Sequence, residues 1–160
     1  MIILGIDPGL QYCGYGIIKK EGNKAILLDC GYLRLSPQKS LAQRISEIHS
    51  FFDNKIIFHH VTHLSLETPF LGKNAQNFLK LGYVRGILYL LTYNHNLKIS
   101  EFTPRQVKLS VTGFGGASKE QVSRMILQFF PRLEKPKRDD VTDALAVTIC
   151  GLWDSSRLTL

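Results

Sequence analysis

Residues 2–9 read Ile-Ile-Leu-Gly-Ile-Asp-Pro-Gly, and this stretch decides the expected fold. Its continuous apolar run, residues 2–6, predicts a strand that is buried on both faces of a sheet. Pro8 and Gly9 predict a turn that stops this strand. The pattern therefore places Asp7 at the carboxyl end of a buried strand.

Two further strands are expected after this turn, near residues 12–19 and 25–35. Between them lies Gly22-Asn23, a pair of residues that is typical of a tight hairpin. We therefore expect the first three strands to form an antiparallel meander.

Beyond the meander, the apolar spacing predicts alternating helices and strands. The expected elements are a helix near 39–55, a strand near 62–66, a helix near 74–94, a strand near 97–102, a short helix from Pro104, a helix from Ser118 to about Phe130 and a helix from Asp139 to about Trp153. This order predicts an α/β fold with a mixed five-stranded sheet flanked by helices. A chain of 160 residues can bury one substantial core but not two. We expect a single domain over residues 1–153 and a short C-terminal tail over 154–160.

The charge of the chain favours a polyanionic partner. The formal net charge is +7, and the segment from Pro104 to Arg138 contains eight basic residues against two acidic ones. Basic side chains that neutralise phosphates release condensed counterions, which favours binding to nucleic acids. A solvated basic surface would have the same composition, so charge alone does not identify the partner.

The sequence also predicts a cytoplasmic location without a membrane segment. No apolar run approaches the roughly 20 residues needed to span a bilayer, and the first residues lack the cationic leader of a signal peptide. The three cysteines are widely spaced and form no metal-binding or redox pair, which fits a reducing compartment.

Carboxylates stand out at the ends of expected elements. Asp7 and Glu67 both lie at strand ends, where neighbouring strands could bring them together. On the last helix Asp140 and Asp143 share one face, and so do Asp139 and Asp143, so that periodicity does not choose between these pairs. Each acid could also serve as a turn or cap residue. Clustered carboxylates repel one another unless a cation joins them, and oxygen ligands favour Mg²⁺ or Mn²⁺.

Several blocks of the sequence resemble the RuvC family of Holliday-junction resolvases. These blocks are Gly5-Ile6-Asp7-Pro8-Gly9, Gly14-Tyr15-Gly16, Glu67-Thr68-Pro69-Phe70, Lys73-Asn74-Ala75, Leu79-Lys80-Leu81-Gly82, Arg85-Gly86, Arg105-Gln106-Val107-Lys108 and Asp140-Val141-Thr142-Asp143-Ala144-Leu145-Ala146. They span residues 5–146 in the family's order, which is far more specific than any single block.

The resemblance implies an RNase H-like fold and a homodimer that cleaves four-way DNA junctions in recombination and repair. It places the family's metal-binding catalytic acids at Asp7, Glu67, Asp140 and Asp143, and leaves Asp139 as a helix cap. Two Mg²⁺ ions per subunit, replaceable by Mn²⁺, would support phosphodiester hydrolysis that leaves 5′-phosphate and 3′-hydroxyl ends. The branch-migration proteins RuvA and RuvB are the implied partners.

Basic and aromatic residues provide candidates for contact with the DNA. Lys108 and Lys119 are the foremost candidates for binding the scissile strand. Five further basic residues are candidates for DNA contact, although each could equally be a solvated surface residue: Arg105, Lys73, Arg85, Lys137 and Arg138. Phe70 follows the Glu67-Thr68-Pro69 turn, where its ring could stack on an unpaired base or fold back into the core. The helix over 74–94 is apolar on nearly all sides, which predicts burial in the core or against a second subunit.

Alternative functions remain open at this point. An RNase H-like nuclease could act on structured RNA, and a non-catalytic module could bind junctions without cutting them. An actin-like ATP-binding protein would also open with a strand, an aspartate and a glycine turn, but it needs two domains, which 160 residues do not supply.

Overall fold

The structure is a computed structural model that describes residues 1–69 and 75–157. The elements are β1 (Ile2–Asp7), β2 (Tyr12–Glu21), β3 (Lys24–Arg34), α1 (Leu41–His59), β4 (His63–Glu67), α2 (Ala75–Asn94), β5 (Lys98–Phe102), α3 (Pro104–Thr112), α4 (Lys119–Phe129) and α5 (Asp139–Arg157). Within these residues the strands form one five-stranded sheet in the order β3-β2-β1-β4-β5. Strand β1 pairs antiparallel with β2 and parallel with β4. The predicted mixed five-stranded sheet is confirmed.

The predicted antiparallel meander is also confirmed. Strands β2 and β3 pair antiparallel and are joined by the turn at Gly22-Asn23. Gly22 has a φ of +59°, a backbone conformation that glycine adopts without the steric cost of a side chain. The hairpin signal in the sequence thus marks the turn itself.

Helices cover both faces of the sheet. Ile3 packs in a core with residues of α3, α4 and α5. Leu4 and Ile6 pack in a second core with residues of α1 and α2. Since successive side chains of a strand point to opposite faces, the apolar run of β1 supplies both cores. This is the physical reason why the run is continuous rather than alternating.

Helix α5 lies directly on the sheet because glycines occupy the facing positions of β1 and β2. A methyl group at Gly14 would overlap the backbone carbonyl of Asp140, and one at Gly5 would lie 2.7 Å from the carbonyl oxygen of Ala144. Only residues without a side chain allow so close an approach. These glycines therefore bring the amino end of α5 to the carboxyl end of β1.

Two helices extend further than the sequence pattern predicted. Helix α1 continues to His59 because Ile56 extends the buried stripe of Ile48 and Phe52, and it ends where His60 adopts a left-handed backbone with a φ of 53°. Helix α5 continues to Arg157 rather than ending near Trp153. Among the helices of the described ranges, none is both long enough and apolar enough to cross a membrane.

Candidate active site

The register of the central strands brings the first two predicted acids together. In the parallel pair β1 and β4, Ile6 lies opposite Leu66, so Asp7 and Glu67 are the next residues at the carboxyl ends of adjacent strands. The two-residue period of a strand places Asp7 on the same face as Gly5. Because Gly5 contacts α5, Asp7 lies on the face of the sheet that α5 covers.

The acids of α5 lie at its amino end, above the ends of these strands. Asp140 packs with its backbone against Gly14, the residue of β2 that pairs with Asp7. Asp143 follows three residues later, and positions three or four apart share one side of a helix. One helical turn thus carries both acids towards the sheet.

A cavity of about 300 Å³ collects most of the predicted site residues. Three of the four predicted catalytic acids, Asp7, Glu67 and Asp143, line it. The lysines predicted to contact DNA, Lys108 and Lys119, line its edge. Its remaining walls are formed by Pro104, Val107, Val122 and Ala146. The fourth acid, Asp140, lies beside this cavity without lining it.

The electrostatics of the cavity are dominated by excess negative charge. Burial, together with repulsion from Asp143, Asp140 and Glu67, raises the pKa of Asp7 to about 7, and the opposing effect of Lys119 is smaller. Burial and the charge of Asp143 also raise the pKa of Glu67. Burial raises the pKa of Asp143, against the attraction of Lys119. A cation bound among these carboxyl groups would stabilise their ionised forms.

Two of the acids already have a basic partner. The Nζ of Lys119 lies 3.1 Å from Oδ2 of Asp143, and this contact raises the pKa of the lysine. The Nε of Arg138 donates to Oδ2 of Asp140 at 2.7 Å, and its guanidinium lies 3.5 Å from the ring centroid of Tyr12. Arg138, which the sequence suggested as a DNA contact, therefore binds Asp140 and the Tyr12 ring.

The carboxylate oxygens of the cavity are suitable ligands for a hard divalent cation, although the acids are not arranged as a complete metal-binding site. In the part of the chain that the structure describes, no three histidine, cysteine or acidic side chains converge closely enough to hold a metal ion. Carboxylate oxygens are nevertheless the preferred ligands of such ions, and the mutual repulsion that raises the pKa of Asp7 favours binding of a cation.

Asp139 occupies a different position from Asp140. It is the first residue of α5 and lines a neighbouring cavity together with Lys119, Arg124 and Lys135. Asp140 helps to raise the pKa of Asp7, and Asp139 helps to raise that of Asp143, which also lines the neighbouring cavity. The choice of Asp140 as the catalytic acid therefore stays a prediction that rests on the family resemblance.

Arg85 supports the site from within the core instead of facing the solvent. The sequence suggested it as a DNA contact, yet it is buried, donates to the carbonyl oxygen of Glu67 at 2.7 Å and forms an ion pair with Glu101. It therefore fixes the end of β4. A cation within the apolar stripe of α2 was the available sequence signal, since buried charges require partners.

Cys13 is a second supporting residue, which the sequence did not reveal. Its thiol donates to the carbonyl oxygen of Gly9 at 3.1 Å and accepts from the Gly9 amide at 3.4 Å. Burial raises the pKa of this thiol to about 12, so it stays protonated and can donate. These bonds hold the turn that follows Asp7.

Lys137, Arg105, Phe70 and Lys73 complete the list of predicted substrate contacts. Lys137 is exposed in the segment that precedes α5. Arg105 lies in the first turn of α3, between the cavity residues Pro104 and Lys108. Phe70 and Lys73 lie outside the described residues.

The metal-free protein is expected to lose stability as the pH rises from 5 to 8. The pKa of Asp7 is about 7 in the folded chain against an ordinary value of 3.8, so the folded state binds more protons than the unfolded state between these values. The free energy of unfolding therefore falls through this window. Asp7→Asn should make the free energy of unfolding depend less on pH and should raise it at pH 8 by about 2 kcal/mol. This is roughly half of the free energy equivalent to the shift in the pKa of Asp7. The other half is not recovered because the asparagine amide must also be transferred from water into the protein.

Urea unfolding in EDTA at pH 5, 6, 7 and 8 measures this effect. Parallel pH profiles for the wild type and Asp7→Asn would contradict the assignment of the raised pKa to Asp7.

Comparison with known proteins identifies the family of the chain and agrees with its fold. The family Crossover junction endodeoxyribonuclease RuvC matches residues 3–151. The RuvC of Pelodictyon phaeoclathratiforme is 44% identical over 152 residues, which cover 95% of this chain and 80% of that protein. The RuvC of Natranaerobius thermophilus is 43% identical over 150 residues, covering 94% and 93%.

The structural comparison identifies the fold. A solved structure of Thermus thermophilus RuvC in complex with a Holliday junction substrate superimposes with a TM-score of 0.92 at 26% identity, covering 99% of this chain and 97% of that one. The RNase H-like fold implied by the sequence is confirmed. With a family match over residues 3–151, the chain belongs to the RuvC family of crossover junction endodeoxyribonucleases.

Proposed function

We propose that this protein resolves four-way DNA junctions by paired symmetric nicks, in homologous recombination and DNA repair. The observation that carries this proposal is the cavity in which Asp7, Glu67 and Asp143 lie beside Lys108 and Lys119. A cluster of acids edged by cations suits a phosphodiester substrate, because metal ions held by the acids and the lysines both attract phosphate. The RuvC relatives, one of them solved with a Holliday junction, support the choice of DNA.

RuvC nucleases are metal-dependent, and we propose magnesium as the metal here, with manganese as a substitute. Asp7, Glu67, Asp140 and Asp143 would hold it, because carboxylate oxygens suit hard cations. When bound, two such ions per subunit supply an activated water and stabilise the leaving 3′-oxygen, so that the products carry 5′-phosphate and 3′-hydroxyl ends.

The lysines of the cavity have a separate task. Lys119 is 71% exposed at its side chain and is held by Asp143. With Asp143 serving as a metal ligand, the ammonium group of Lys119 would be free to contact the phosphate of the scissile strand. Lys108 faces the same cavity and would contact the same strand, with Arg105 beside it. Phe70 and Lys73 remain proposed substrate contacts from their sequence positions alone.

We propose a homodimer that uses the outer face of α2. Four apolar or aromatic side chains of this helix, each between 46% and 83% exposed, recur at helical spacing: Leu79, Tyr83, Leu90 and Tyr93. An apolar helix face of this kind is typical of a subunit interface. A two-fold dimer would present equivalent sites to opposite strands of a junction.

The remaining proposals concern the organisation of the protein and its surroundings. Residues 1–153 would form a single nuclease domain, and the proposed tail at 154–160 begins within α5, which continues to Arg157. RuvA and RuvB would be its partners, and the cytoplasm its location.

A cleavage assay on matched substrates tests the proposed function. A mobile four-way DNA junction, a structured RNA and an RNA–DNA hybrid are each incubated with the protein and Mg²⁺. We expect symmetric nicks in the junction, with EDTA abolishing the reaction. Cleavage confined to the RNA-containing substrates would favour the RNA nuclease, and junction binding without cutting would favour a non-catalytic binding module.

A further inference from the structure

Phe114 is an exposed aromatic residue with no role in the core or in the carboxylate site. It lies in the loop that joins α3 to α4, and 64% of its surface is exposed. Exposure of so large an apolar side chain is unfavourable in water, and aromatic rings presented in this way often mark binding surfaces.

The backbone of Phe114 is held in place on both sides. Its amide donates to Oγ1 of Thr112 at 3.1 Å, and its carbonyl oxygen accepts from the Ala117 amide at 3.1 Å. The Thr112 hydroxyl, 3.0 Å from the Phe114 carbonyl oxygen and 2.8 Å from that of Lys108, can donate to either. The loop is thus tied to α3.

The ring of Phe114 lies against Gly116. A methyl group at Gly116 would lie 2.7 Å from Cζ of Phe114, so the ring rests over a residue that has no side chain.

The loop also folds back towards the active site. A methyl group at Gly115 would lie 2.8 Å from Cγ of Arg105, and Arg105 stands between two residues that line the carboxylate cavity, Pro104 and Lys108. At the other end of the loop, Lys119 lines the same cavity. Arg124 of α4 shares a shallow groove with Phe114. The loop that carries the ring therefore lies between Arg105, which contacts Gly115, and Arg124, which shares the groove of Phe114.

We propose that Phe114 is a substrate-contacting residue whose ring packs against the bases and sugars of the junction strand entering the carboxylate cavity. Arg105 and Arg124 bind the phosphates on either side of this contact. The occupant is DNA because Arg105 and Arg124, which lie beside the loop and its groove, are both positive, and aromatic contact with nucleotides tolerates any base. This inference rests on the proposed junction-resolving function and adds a binding determinant to it.

Junction binding without cleavage tests the inference. A fluorescently labelled four-way junction is titrated with protein in Ca²⁺ buffer without Mg²⁺, and anisotropy gives the Kd. We expect Phe114→Ala to raise the Kd about tenfold, within the range measured for loss of one base–aromatic contact, and Phe114→Tyr to stay close to the wild type. A Phe114→Ala Kd within twofold of the wild type would overturn the inference.

Phe58→Ala provides the matched control. Phe58 is 77% exposed on α1, which packs on the opposite face of the sheet, so its removal should leave the Kd unchanged. An equal loss of affinity in both variants would overturn the specific role of Phe114. If the wild type itself fails to bind junctions, the proposed function fails, and this result is distinct from a failure at Phe114 alone.

A second variant keeps the test independent of the folding of Phe114→Ala. Phe114→Trp places a fluorescent ring at the contact, and subtraction of the wild-type signal removes the contribution of Trp153. We expect the tryptophan emission to change when unlabelled junction is added. Unchanged emission with a junction that binds normally would overturn the inference.

Discussion

Asp7→Asn is expected to slow junction cleavage by about 1,000-fold or more while leaving junction binding within a few-fold of the wild type. Asp7 lies at the centre of the acidic cluster, because Asp143, Asp140 and Glu67 all act on its pKa. An amide at this position cannot supply the charge that a divalent cation needs, and loss of a central catalytic group typically costs several orders of magnitude. Single-turnover cleavage in Mg²⁺ measures the effect.

A remote aspartate supplies the control for this variant. Asp53 pairs with His95, with Oδ1 and Nε2 2.6 Å apart, and belongs to α1 on the far face of the sheet. Asp53→Asn should cleave at the wild-type rate. If Asp7→Asn retains more than a tenth of the wild-type rate, Asp7 is not a central catalytic acid.

Introducing two charges on the outer face of α2 is expected to separate the proposed dimer. In the double variant Leu79→Glu, Leu90→Glu, carboxylates replace two exposed leucines. Burying unpaired like charges at a two-fold contact is strongly unfavourable. The Kd for self-association should rise at least about 100-fold, since each buried unpaired charge costs several kcal/mol. Sedimentation velocity measures this change, and the paired nicks should become uncoupled single nicks.

Ile57→Glu distinguishes an interface effect from a general effect of surface charge. Ile57 is 55% exposed on α1 and receives the same substitution outside the proposed contact. We expect it to sediment like the wild type. A double variant that remains dimeric would exclude this face of α2 as the interface.

Strand positions in this protein follow closely from sequence, because burial sets them directly. The apolar run before Asp7 and the Gly22-Asn23 turn predicted β1 and the β2–β3 hairpin, and the structure contains both. Helix ends were less predictable. The extension of α1 to His59 follows the packing of Ile56 in the same core as Ile48 and Phe52, one turn beyond the last apolar position used to predict the helix.

The sequence predicted which residues line the cavity better than it predicted the contacts that they make. Position at strand ends singled out Asp7 and Glu67, and helical spacing singled out the acids of α5. The distinction between Asp139 and Asp140 needed the family resemblance, since it depends on how α5 lies across β2. The contacts of Arg85 and Arg138 were missed because a basic residue in a sequence does not reveal whether its partner is a phosphate or a carboxylate.

The glycines that face α5 make the activity depend on the distance between this helix and the sheet. Two of the four acids lie at strand ends, and the other two lie in the first turns of α5. At Gly14 the strand and the helix are in contact through backbone atoms alone. One additional carbon there would act as a spacer that lifts the helix. A substitution of Gly14 would therefore reduce cleavage although every acid, lysine and aromatic ring is still present, because the acids of the strands and those of the helix would no longer lie close together.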